Sequence, residues 1–155
     1  MLADIPLSIH AGGSDYRRLT TRLSGFDRPG GATLLTFTGM HRSRLKIAAQ
    51  EFARAVDKPL FVPNRFDGQP ASALDSILHR AGAGALLLLD EADSLFGRRS
   101  GVRDGHDRYA NEYVSYLVQA LARYRVTGIV LEPYEPPPRH VPAWVAHRVV
   151  RFPPP

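Results

Sequence analysis

Two adjacent carboxylates at the end of an apolar run are the residues of this chain best suited to chemistry. Asp90 and Glu91 directly follow four leucines at 86–89. A strand without polar alternation is typical of the centre of a parallel sheet, where ligands bind at the carboxyl ends of the strands. In phosphoryl transfer, an aspartate in that place holds Mg²⁺ and a following glutamate orients a water molecule. Alternatively, both side chains cap the next turn.

A second candidate site is cationic. Gly39 follows an apolar, β-branched run at 33–38, and Arg42, Arg44 and Lys46 come next, where a helical pattern begins. A helix start offers free N–H groups, so this loop could hold an anion. The alternative is that the three cations are solvated or paired within the chain.

Composition limits the classes of function. The chain has 155 residues, a length typical of one domain, and a formal net charge of +5 with only two lysines, Lys46 and Lys58. An arginine-rich surface suits nucleic acid or another polyanion, but no nucleic-acid motif is present and a solvated surface is the favoured explanation. The absence of cysteine excludes disulfide scaffolds and thiolate metal sites. No signal peptide or membrane-length apolar run is visible, so we expect a cytoplasmic protein without a membrane partner.

Helical and strand patterns alternate along the chain, which predicts an α/β domain with a mostly parallel sheet. Residues 1–13 are expected to form an N-terminal extension, and 132–142 a proline-rich loop. The predicted helices cover 14–23, 43–56, 71–80 and 107–124. The predicted strands cover 33–38, 59–62, 85–89, 126–131 and 149–152, so that 1–155 is a single domain with five strands.

Residues 84–121 resemble the Walker B strand and the following helix of AAA+ ATPases. The resemblance is carried by Asp90-Glu91-Ala92-Asp93, Leu95-Phe96-Gly97, Arg99-Ser100 and the block 106–111. It implies a three-layer αβα P-loop NTPase-like fold. It also implies that Asp90 is the Mg²⁺ ligand and Glu91 the catalytic carboxylate, with ATP and Mg²⁺ as cofactors.

The expected phosphate-binding loop departs from the pattern G-x-x-x-x-G-K-[ST]. Only Gly39 fits. Arg44 stands in place of the second glycine, Leu45 in place of the lysine and Lys46 in place of the hydroxyl residue. These changes predict a loop that cannot close around phosphates, cannot contact them with a fixed cation and repels Mg²⁺. We therefore expect Asp90 and Glu91 to be inactive remnants and no cofactor to be needed.

Further departures concern the ends of the last strands. Glu132 stands where the family has a polar residue near the γ-phosphate, and an acid there would repel phosphate. Arg148 and Arg151 lie where the family places an arginine that reaches a neighbouring subunit, although the match is poor. The helical lid of the family would begin where this chain stops, and we expect it to be absent.

Three functions remain open. The first is a degenerate AAA+ domain that does not hydrolyse ATP and acts as a structural or regulatory module for a protein partner or an AAA+-type subunit. The second is a weak or partner-completed ATPase that binds ATP and Mg²⁺. The third is an arginine-rich binder of nucleic acid or polyanions. For assembly, we expect a monomer, small oligomer or hetero-complex rather than a stable hexamer.

Overall fold

The fold is described from a computed structural model that covers residues 2, 4–24, 32–62, 71–89, 116–133 and 145–153. Six strands form one sheet in which every pairing is parallel. They are β1 (Ser8–His10), β2 (Ala32–Thr38), β3 (Leu60–Phe61), β4 (Leu86–Leu89), β5 (Thr127–Glu132) and β6 (Val145–Arg151). The strand order is β1-β6-β2-β5-β4-β3. The prediction of an α/β domain with a parallel sheet is confirmed.

Helices pack on both faces of this sheet. They are α1 (Ser14–Leu23), α2 (Arg42–Val56), α3 (Ala71–Ala81) and α4, which is helical over 116–124. On one face, α1 and α2 share a core cluster with the side chains of Leu35, Phe37 and Leu88. On the other face, α3 and α4 pack against Leu34 and Leu89.

The predicted count of five strands is wrong, because the described residues contain six. The extra strand is β1, which lies within the expected N-terminal extension and pairs with β6. Its three residues alternate exposed, buried, exposed, which is too short a pattern to identify a strand from sequence. The last strand also begins four residues earlier than predicted, at Val145, because a histidine and an arginine interrupt its apolar pattern.

The central strands lie where their composition predicted. All seven residues of β2 and all four leucines of β4 are buried. Burying one leucine side chain stabilises the fold by about 1.5–3 kcal/mol, so β4 is a strong contributor to the core. Gly128 of β5 lets α4 approach the sheet, because a Cβ there would lie 3.1 Å from Cδ1 of Leu121.

Candidate functional site

The sheet has a topological switch point between β2 and β5. These two strands are neighbours, but the chain continues from β2 to β3 on one side of the pair and from β5 to β6 on the other. Ligands of open α/β sheets bind beyond the carboxyl ends of strands at such a point. The space beyond the ends of β2 and β5, termed the β2–β5 crevice, is therefore the candidate site.

Two buried polar residues end the strands beside this crevice. Thr38 and Glu132 are register partners and are only 1% and 4% exposed. Because side chains alternate along a strand, both lie on the sheet face that carries Leu34 and Val130, which is the α3–α4 face. Both residues have interaction partners within the chain. A carboxylate thus stands at the edge where the family resemblance would place a neutral polar side chain.

A hydrogen bond between β2 and β6 extends this polar region. Thr36 is 3% exposed, and its Oγ1 lies 3.1 Å from Nε2 of His147. Alternation places Thr36 on the same face as Thr38, two residues along β2. Neither Thr36 nor His147 is among the site residues predicted from the sequence. The available signal was the alternation of Thr36 and Thr38 with Phe37 at the end of a mostly apolar strand.

The glycine of the candidate phosphate loop is used for contact with the protein's own backbone. Gly39 has φ +105°, and a Cβ atom on it would overlap the carbonyl oxygen of Phe152. The Phe152 N–H donates to the Thr38 carbonyl oxygen at 2.9 Å. The Phe152 ring packs against Phe37, with 5.0 Å between ring centroids. Position 39 therefore requires glycine, because the Phe152 backbone lies too close for any side chain there.

The link from β2 to α2 is short. It consists of Gly39, Met40 and His41, because α2 already begins at Arg42. The pattern G-x-x-x-x-G-K-[ST] has four residues between its glycines, so the segment that would wrap a phosphate is here partly helix. The N–H groups of Arg44 and Leu45 both donate to the His41 carbonyl oxygen, at 3.0 and 2.9 Å. These two amides are consequently satisfied within the chain.

The side chains of this segment differ in how deeply they are buried. Leu45, which stands in the place of the phosphate-contacting lysine, is fully buried in the α1–α2 cluster. Arg42 and Arg44 are exposed, Lys46 is half-buried, and Arg42 has an interaction partner. The first turn of α2 carries no acidic residue, and its N-cap makes no side-chain hydrogen bond. The N-terminus of a helix carries a partial positive charge, and cations placed there add to it. No acidic residue in the first turn of α2 offsets this positive potential.

Arg148 holds the N-terminal segment against β6. Its guanidinium donates to the carbonyl oxygens of Ile5, at 2.9 Å, and Leu2, and its Nη1 donates to the His147 carbonyl oxygen at 2.7 Å. Leu2 and Ile5 are each only 2% exposed. This role is not predictable from the sequence, because Leu2 and Ile5 lie more than 140 residues away from Arg148 along the chain.

The other arginine considered for a neighbouring subunit is also engaged. The Arg151 Nε donates to the Ser8 Oγ at 2.7 Å. On the same segment, Asp4 accepts hydrogen bonds from Arg18 and Arg22 of α1 at 2.6–2.7 Å. The guanidinium groups of Arg22 and Arg18 hold the pKa of Asp4 well below its usual range. The N-terminal segment is thus attached by polar contacts to both α1 and β6.

Asp90 and Glu91 lie outside the described residues. The strand that leads to them is described. Leu89 ends β4 in register with Val130 of β5, and β5 separates β4 from the strand that precedes Gly39. Most of the expected proline-rich loop, at 134–142, and the first part of the predicted long helix, at 107–115, also lie outside the described residues.

Within the described ranges, no group of three or more His, Cys, Asp or Glu side chains could hold a metal ion. No helix among those same residues has both the length and the apolarity to cross a membrane. Neither the known protein-family models nor the curated proteins give a match to this chain.

Proposed function

We propose that this chain is a degenerate AAA+ ATPase-like domain that does not hydrolyse ATP and acts as a structural or regulatory protein-interaction module. The single observation that carries the proposal is the arrangement at the end of β2. Gly39 accommodates the Phe152 backbone, and Leu45 occupies the core. A parallel sheet with helices on both faces, and a glycine link from a central strand into a helix, is compatible with a P-loop-like fold.

Hydrolysis of ATP requires groups that stabilise the charge on its phosphates. A fixed lysine and backbone N–H groups stabilise the charge of the transferring phosphoryl group, and losing each such partner costs several kcal/mol. Leu45 has no charge to supply, and the N–H groups of Arg44 and Leu45 already donate to His41. Turnover at an ordinary rate is therefore not expected from this chain alone.

Glu132 adds an electrostatic reason to expect weak phosphate binding. Its buried carboxyl group ends β5 beside Thr38, at the edge of the β2–β5 crevice. A carboxylate in this place disfavours a bound triphosphate, which supports the same proposal independently of the loop.

A weak or partner-completed ATPase is the alternative that a specific observation favours. The buried strand β4 leads directly to Asp90 and Glu91, the residue pair that holds Mg²⁺ and orients water in phosphoryl transfer. A partner subunit would then have to supply the cations that the segment after β2 lacks.

ATP binding and hydrolysis by the purified protein distinguish the proposal from an ATPase that works without a partner. For the purified protein, we expect no heat of binding in calorimetric titration with ATP and Mg²⁺ up to about millimolar concentration, and no phosphate release. Hydrolysis that is abolished by Glu91→Gln would refute the proposal and support the ATPase. Hydrolysis unchanged by Glu91→Gln would indicate a contaminating enzyme, and the preparation would be repeated until this control is clean.

The contacts of Arg148 and Arg151 bear on the expected assembly state. Arg148 and Arg151 are bonded to the N-terminal segment of their own chain, which disfavours a role in reaching a neighbour's phosphate. We expect light scattering without nucleotide to give the mass of a monomer, a small oligomer or a complex with a partner. A hexamer mass would contradict this expectation.

A further inference from the structure

We infer that the N-terminal segment, which comprises Leu2 and residues 4–11, is coupled to Gly39 through a single peptide unit at the end of β6. The segment acts as a latch, because a partner that lifts it from β6 also loosens the link between β2 and α2. This coupling goes beyond the proposed function and does not depend on it, since it concerns the backbone on the two sides of β6 and not the hydrolysis of ATP.

The peptide unit between Arg151 and Phe152 is hydrogen-bonded on both of its sides. Its carbonyl oxygen, that of Arg151, accepts from the Ala11 N–H at 2.9 Å. Its N–H, that of Phe152, donates to the Thr38 carbonyl oxygen, also at 2.9 Å. A peptide unit is planar and moves as one body. Because β6 lies between β1 and β2, the N-terminal segment and the end of β2 hold this rigid unit from opposite sides.

A second peptide unit carries the contact to Gly39. The carbonyl group of Thr38 that accepts from Phe152 belongs to the unit between Thr38 and Gly39, so the bonds run without a gap from Ala11 to the start of the link. The Phe152 carbonyl oxygen also packs on Gly39, where it would overlap a Cβ atom. Hydrogen bonds in such a chain strengthen one another. Loss of the bond at Ala11 is therefore expected to weaken the bond at Thr38.

The end of β6 depends on these bonds because its ladder with β2 stops there. The last register pair is Thr38 with Arg151, and Phe152 follows it. The Phe152 ring meets Tyr16 of α1 edge-on, with 6.2 Å between ring centroids. The helix that follows the N-terminal segment thus supports the same residue. The end of a strand opens more easily than the ladder before it, so residue 152 is sensitive to the loss of either support.

The N-terminal segment is the side of this arrangement that opens more easily. It contributes an edge strand of three residues, whereas all seven residues of β2 are buried. The side chains of Asp4, Arg18 and Arg22 form ion pairs but are 38–51% exposed, and exposed pairs contribute little to stability. Ile5 and Ile9 are buried in the α1–α2 cluster, which keeps the latch closed in the absence of a partner. A partner that competes for the segment needs to disrupt only this edge of the fold.

Amide hydrogen exchange tests the coupling in the full chain. Ala11→Pro removes the N–H that bonds the Arg151 carbonyl oxygen, and the matched control Ala11→Gly keeps it. The measured quantity is the exchange rate of the Phe152 amide divided by that of the Leu86 amide, which donates to Pro59 in the other half of the sheet. We expect this ratio to rise by about tenfold or more in Ala11→Pro and by less than about threefold in Ala11→Gly.

A second pair of variants weakens the latch without changing its backbone. Ile9→Ala removes a buried anchor, whereas Leu7→Ala changes a side chain of the same segment that is 60% exposed. The ratio of the Phe152 rate to the Leu86 rate should rise by about tenfold or more in Ile9→Ala and by less than about threefold in Leu7→Ala. This pair decides alone if Ala11→Pro does not fold.

Two results would overturn the inference. They are an unchanged ratio in a folded Ala11→Pro or Ile9→Ala protein, or an equal rise in either variant and its control. The ATP experiments are independent of these measurements. A failed exchange test leaves the lack of hydrolysis in place, and hydrolysis of ATP would refute the proposed function without altering the exchange of the Phe152 amide.

Discussion

Gly39 and Phe152 meet where β2 and β6 end, and the contact leaves no room for a side chain on residue 39. A Cβ atom there would overlap the Phe152 carbonyl oxygen and lie 3.2 Å from the Phe152 nitrogen. The hydrogen bond from the Phe152 N–H to the Thr38 carbonyl oxygen holds the two segments in this position. The one residue that matches a phosphate-binding loop is thus needed for packing of the protein against itself.

Gly39→Ala should therefore destabilise the fold strongly. The substitution adds both a backbone overlap and an unfavourable φ of +105°, and we expect it to lower the free energy of unfolding by about 3 kcal/mol or more. Urea denaturation followed by circular dichroism measures the change. Gly12→Ala is the matched control, since Gly12 has φ +86° but open space around its Cβ position, and about 1 kcal/mol is expected there. If Gly39→Ala and Gly12→Ala lower the free energy of unfolding by the same amount, the overlap with Phe152 adds no cost and the prediction is wrong.

Restoring the lysine of the phosphate-binding pattern should harm the protein. Leu45 is fully buried, so Leu45→Lys places an ammonium group in the α1–α2 core and should lower the free energy of unfolding by about 3 kcal/mol or more. Ile47→Lys, two residues along the same helix at an exposed position, should change it by less than about 0.5 kcal/mol. Chemical denaturation of both variants provides the comparison. A stable Leu45→Lys protein that gains ATP binding would contradict the assignment of Leu45 to the core.

Removal of the Arg148 guanidinium should loosen the N-terminal segment. Arg148→Ala leaves the buried carbonyl groups of Leu2 and Ile5 without this donor, at an expected cost of about 1–3 kcal/mol. Amide hydrogen exchange should become faster at the N–H groups of Ala11 and Val149, which bond β1 and its flanking residues to β6. Arg123→Ala, which removes an ion pair with Asp75 at 3.4 Å and a cation–π contact with Tyr124, should leave these rates unchanged because both contacts lie away from β1 and β6. Equal exchange rates in the two variants would argue against an anchoring role of Arg148.

The ion pairs of Asp4 should make stability depend on pH in the acid range. The pKa of Asp4 is lower in the folded protein than its ordinary value of 3.8, because the guanidinium groups of Arg22 and Arg18 bond the carboxylate. This contribution to stability is present above pH 3.8 and is lost as the pH falls toward the folded-state pKa. The difference in melting temperature between the wild type and Asp4→Asn should therefore be constant near neutral pH and shrink below about pH 4. A difference in melting temperature that grows as the pH falls would contradict this prediction.

Added salt should reduce the difference in melting temperature at neutral pH, since the side chains of Asp4, Arg18 and Arg22 are all substantially exposed and their ion pairs are screened.

Local patterns in the sequence determined most of the secondary structure. The four leucines of β4 predicted a buried central strand, and the structure buries all four. The spacing of Leu45, Phe52 and Val56 predicted the buried face of α2, which begins one residue before the predicted start. These predictions are reliable because the periods of a helix and a strand depend on neighbours in sequence.

The tertiary structure decided what the candidate residues do. The sequence already placed leucine where a phosphate-binding loop needs lysine, and Glu132 where the family resemblance expects a neutral polar residue. Only the fold packs the Phe152 backbone against Gly39. It also places the Arg148 guanidinium within hydrogen-bonding distance of the Leu2 and Ile5 carbonyl groups. Strand register makes Glu132 the neighbour of Thr38. Each of these contacts joins residues that are far apart in the chain. They depend on strand order and register, which no local period encodes.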